Sequence, residues 1–67
     1  MRKAVINTTD EKQIDSRIVK AIYKAMDQFE ADTAIIMTVD IGYAEIDLLK
    51  NGNCVEWAYP IVVKSEE

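Results

Sequence analysis

The chain has no histidine, and its 67 residues include one cysteine, one proline and two glycines. Without histidine or a second cysteine, Ser-His-Asp and Cys-His catalysis, zinc sites built on those ligands and an internal disulfide are all excluded. General acid–base chemistry near neutral pH loses its usual side chain as well. No glycine-rich phosphate loop or dinucleotide fingerprint is present. Cations are in the minority, eight against twelve acidic residues for a net charge of −4, which argues against general nucleic-acid affinity. There is no apolar run near 18 residues and no signal-peptide pattern. Together with the lone Cys54, these absences point to a cytoplasmic protein that needs no cofactor and no membrane.

What is present is the composition of a folded domain, 49% hydrophobic and 30% charged. So short a chain buries only about 60% of the surface its unfolded form exposes, and its core is correspondingly marginal.

Arg2 to Asn7 reads as a first strand. Thr8-Thr9-Asp10 supplies N-cap chemistry, and Asp10 and Glu11 suit the positive end of a helix dipole. From about residue 10 to 30, Ile14, Ile18, Ile22, Met26 and Phe29 recur at helical spacing, with Ala21 and Ala25 on the same stripe. Arg17, Lys20 and Lys24 gather on the opposite side, a solvated ridge or, as a weaker reading, a phosphate contact. Beyond Asp32-Thr33 the period shortens to two, and strands are predicted over 34–40, 43–49 and 53–59. Asn51-Gly52 carries the signature of a type I′ hairpin turn.

Counting back from that turn predicts a register. Lys50 opposes Asn53, Leu48 faces Val55, Ile46 faces Trp57 and Ala44 faces Tyr59, all on a core face. A two-residue turn at Ile41-Gly42, or a four-residue loop of the same parity, places Ile35, Met37 and Val39 on that face too. The other face receives Ile36, Tyr43 and Leu49, with Asp47 directly opposite Glu56 and Glu45 diagonal to it. Like charges opposite one another are unfavourable, so this acidic group is either a solvated face with one tolerated repulsion or a site for a cationic protein partner, with a hard cation such as Ca²⁺ or Mg²⁺ the weaker alternative. Residues 61–63 run past the end of their hairpin partner in this register, and Pro60 fits only an edge or a bulge.

The expected architecture is therefore α+β, ordered β-α-β-β-β, a mostly antiparallel sheet with one amphipathic helix on one face, in a single domain spanning 1–67 with a frayed end at 64–67. The β-α-β-β start resembles half of a ferredoxin-like unit, a likeness of topology that implies no activity. The opposite sheet face has no cover within the chain. The expectation is a small non-enzymatic protein-binding module, of the kind phages and mobile elements use to inhibit or regulate a host factor. Glu45, Asp47 and Glu56 would meet a basic protein surface, with Tyr43, Ile36 and Leu49 supplying contact area. Ile61, Val62 and Val63 would pair either with the first strand of the same chain or, the reading taken for the interface, with a second chain in a homodimer or higher oligomer. The alternative is a small-ligand or cation site formed at such an oligomer interface.

Overall fold

The computed structural model describes residues 3–10 and 13–63. The elements are β1 (Ala4–Asn7), α1 (Ser16–Phe29), β2 (Thr33–Asp40), β3 (Tyr43–Lys50) and β4 (Asn53–Val62). The four strands form one sheet in the order β1-β2-β3-β4. β1 runs parallel to β2, and the two later pairings are antiparallel. This is the α+β arrangement expected, with α1 packed on one face. Among the described residues no helix is long and apolar enough to cross a membrane. Arg2 and Glu11, and the tail at 64–67, lie outside the described residues.

The helix starts later than the threonines suggest. The Thr8 hydroxyl donates to the Ile36 carbonyl at 2.6 Å, and Thr9 donates through its N–H and hydroxyl to Asn7 Oδ1. Those side chains are engaged at the end of β1 and do not cap a helix. Asp15 is the N-cap instead, accepting from the Arg17 N–H at 2.8 Å. At the other end Glu30 turns left-handed, with φ 55°. Its N–H donates to the Asp27 carbonyl and that of Ala31 to Met26, the paired bonds of a Schellman stop.

The stripe on α1 forms the core as its spacing predicts. Ile18, Ile22, Ala25 and Met26 are buried against Ala34, Ile36, Ala44, Ile46, Leu48 and Ile61. Phe29 meets Tyr59 edge-on, with ring centroids 5.2 Å apart. Asn51 and Gly52 both take positive φ, 52° and 81°, as a type I′ turn demands. At the other hairpin Asp40 pairs with Tyr43, so the loop is the two-residue Ile41-Gly42. Gly42 is required there: its φ is 69°, and a Cβ would meet the Val63 carbonyl oxygen at 2.9 Å.

Three irregularities alter the register, and each corrects an expectation. In β2 the pairing with β3 shifts between Ile36 and Thr38, leaving Met37 as the extra residue. Val39 still opposes Ala44 as expected, but beyond the bulge the parity reverses. Ile36 opposes Ile46 and Ala34 opposes Leu48. Ile36, expected on the partner-binding face, is 0% exposed in the core, while Ile35 and Met37 leave it.

In β4 the register shifts twice, once on either side of the Leu48–Glu56 pair. Lys50 with Asn53 and Leu49 with Cys54 are paired as predicted, but Leu48 meets Glu56 and Ile46 meets Tyr59. Two residues are absorbed, so the odd positions beyond the bulges still face the helix. Trp57 does not; it is 75% exposed where the unbulged register put it in the core. The same two residues draw 61–63 back onto their own sheet. Ile61 pairs with Ala44, Val62 with Tyr43, and the Val63 N–H donates to the Gly42 carbonyl at 2.8 Å. The premise that Ile61, Val62 and Val63 lack a pairing strand is thereby removed, and Ile61 is buried. Since Val63 points its N–H at β3, alternation leaves the nitrogen of Pro60 on the open edge, where no ladder bond is lost.

The parity reversal in β2 makes a testable difference. Ile36→Ala is expected to cost about 2–5 kcal/mol in urea unfolding, the range for an emptied aliphatic core site. A loss within about 0.5 kcal/mol, typical of a surface position, would place Ile36 back on the outer face.

Candidate interaction face

Ala44, Ile46 and Leu48 point into the core, so alternation turns Tyr43, Glu45, Asp47 and Leu49 to the outer face of β3. Cross-strand partners share a face, which places their neighbours. Leu49 lies between Thr33 and Cys54, Asp47 beside Ile35, and Ile35 beside Ile6 of β1. Glu45 lies between Thr38 and Pro60, and Tyr43 between Asp40 and Val62. The face thus sets Ile6, Ile35 and Val62 on its flanks, among Thr33, Thr38 and Asp40 of β2, on either side of the Glu45 and Asp47 carboxylates of β3. Ile6 and Val62 are exposed large hydrophobic residues, Val62 at 67%. Among the described residues no element covers them.

The three carboxyl groups predicted to converge do not. The bulges move Glu56 away from Asp47 and set it opposite Leu48. Asp47 uses the space so opened: its Oδ1 accepts from the Ala58 N–H at 3.0 Å. Ala58 has φ 49°, a left-handed conformation unusual for a residue with a Cβ, and the carboxylate provides a partner for the amide that this turn displaces from the ladder. The direct Asp47–Glu56 repulsion inferred from the unbulged register is absent. Glu45 accepts from the Tyr43 hydroxyl at 2.8 Å. That bond holds the phenolic proton, and partial desolvation and the negative charge of Glu45 act in the same direction, so the Tyr43 pKa is raised above its ordinary 10.0. Among the described residues no three carboxylate or thiol groups gather at a site that could hold a metal ion.

Charge divides between the two layers of the fold. Lys3 bonds to Asp27 on α1, Arg17 to the N-cap Asp15 at 2.6 Å, and Lys50 to Glu30 at 3.3 Å. Lys20 and Lys24 occupy the exposed ridge of α1. All five described cations therefore lie on the helix side, and the outer face carries Asp40, Glu45 and Asp47 with no described cation among them.

Of the residues singled out from sequence, the structure keeps Tyr43, Glu45, Asp47 and Leu49 on one face. It removes Ile36 to the core and separates Glu56. The exposed residues that sequence reasoning assigned to the core are Met37, Val55 and Trp57. The signal for them was only the parity of β2 and β4, which a single extra residue reverses. No protein-family model, curated protein or solved structure matches this chain.

Two measurements probe the face. Asp47→Ala strips the exposed Ala58 N–H of its partner and is expected to cost about 0.5–1.5 kcal/mol, with faster hydrogen exchange at Ala58. Unchanged exchange there would show that the carboxylate does not hold the bulge. In a spectrophotometric titration, the component removed by Tyr43→Phe should ionise above pH 10, and Glu45→Gln should move it down. Because the folded state binds this proton more tightly, the associated stability is complete below pH 10 and fades as pH rises through the folded value. A Tyr43 component insensitive to Glu45→Gln would contradict the bond.

Proposed function

We propose that this chain is a non-enzymatic protein-binding module whose outer sheet face docks on a basic surface of another protein. The observation that carries this reading is the face itself. It joins uncovered apolar side chains on its flanks to carboxylates, while all the described cations are on the other layer. A surface mixing aliphatic area with charge of one sign suits a partner offering apolar contact and cations. Glu45 and Asp47 supply the complementary charge; Tyr43, Leu49, Ile35 and Val62 supply area. Binding of this kind acts by occupancy: it blocks or organises the surface it covers, as an inhibitor or regulator of a host factor would.

Affinity capture from the native host tests the proposal. The wild-type protein should retain a basic protein that is released as ionic strength rises and the Debye length falls from about 10 Å toward 3 Å. Glu45→Lys should reduce its retention at least about tenfold, the effect of one lost charge-assisted contact. Equal retention by the variant would refute the role of the face.

A further inference from the structure

Lys20 and Lys24 lie one helical turn apart on the exposed side of α1, Lys24 at the rim of the groove between the helix and β4, and among the described residues neither has a carboxylate within ion-pairing distance. On the opposite side of the same molecule, Glu45 and Asp47 are bonded to a phenol and a backbone amide, not to a cation. The two pairs are matched in spacing. Four residues of helix rise about 6.0 Å, and two residues of antiparallel strand rise about 6.8 Å. Apolar surface accompanies both: Val19 and the exposed Tyr23 flank the lysines, and Ile35, Ile6 and Val62 flank the carboxylates.

From this complementarity, and resting on the reading of the outer face as a docking face, we infer that the face accepts the helix ridge of a second copy of this chain. Lys20 and Lys24 of one copy lie over Glu45 and Asp47 of the next. A symmetric sheet-to-sheet dimer is opposed by the same charges, because it would stack Asp40, Glu45 and Asp47 against their own equivalents. Ridge and face are on opposite sides of the molecule, so the contact is heterologous and grows head to tail without closing. Four strands of four, eight, eight and ten residues, rising about 3.4 Å per residue and spaced about 4.8 Å apart, present roughly 500 Å² to a partner. That is below the roughly 800 Å² per side of a standard interface, so the association is weak and salt-sensitive.

Two variants test it by sedimentation velocity at about 0.5 mM protein and low salt. Lys20→Glu/Lys24→Glu removes the ridge at exposed helix positions and keeps the face. Glu45→Lys impairs the face, keeps the ridge and leaves the Asp47 bond to Ala58 intact. The wild type should gain mass with concentration and lose it at high salt. Each variant alone should be monomeric, and an equimolar mixture should regain mass, because the intact lysine ridge of one variant meets the intact acidic face of the other. A monomeric wild type at this concentration overturns the inference, as does a Lys20→Glu/Lys24→Glu protein that self-associates like wild type. Should Glu45→Lys fail to fold, the lysine variant alone decides between the ridge contact and a symmetric one. A lysine variant that retains the captured basic protein fully, beside a monomeric wild type, sinks this inference and leaves the proposed function standing.

Discussion

The hydrogen bond from the Ala58 N–H to the Asp47 carboxylate holds together the feature on which most of this structure turns, the doubly bulged pairing of β4 with β3. A ladder without bulges would put Trp57 opposite Ile46 and leave residues 61–63 beyond the end of their partner. With two residues taken up, Tyr59 reaches Ile46 and packs on Phe29, Ile61 closes the core, and Val63 reaches Gly42. The left-handed turn at Ala58 displaces an amide from the ladder, and Asp47 accepts it from across the strand. One carboxylate thus links the register of the last strand, the exposure of the only tryptophan and the separation of Asp47 from Glu56.

The consequences meet on the outer face. A single helix 14 residues long covers one side of a four-stranded sheet, and its buried stripe accounts for the core. Ion pairs at Lys3, Arg17 and Lys50 draw cations to the helix and its ends. What remains on the far side is aliphatic surface divided by the carboxylates of β3. Both proposals follow from this asymmetry: a foreign basic surface and the lysine ridge of another copy offer the same face the same chemistry, so they would compete for it.

Much of the fold was legible because it rests on period and turn chemistry. The helix stripe from Ile14 to Phe29, the positive φ values at Asn51-Gly52 and the order of elements all follow from residue type and spacing. The helix start was misread because Thr8 and Thr9 have the right side chains for a cap but are engaged at β1, whereas the Asp15 cap lies within the stripe itself. Register was legible only as far as the first bulge on each strand. Parity has no memory of an extra residue, so Ile36 and Met37 exchanged places, and Trp57 moved from core to solvent. The cues were local and weak: Pro60, which calls for an edge, and the like charges at Asp47 and Glu56, which an unbulged ladder would bring together.

Because the chain has one tryptophan, its fluorescence reports directly on the bulged register that shapes the outer face. With Trp57 exposed as the structure has it, the native protein should emit at the long wavelength of a water-exposed indole, be quenched freely by acrylamide, and shift little on unfolding in urea. A blue-shifted, protected emission that moves red on unfolding, measured in dilute monomeric protein, would place Trp57 under the helix and contradict the doubly bulged register.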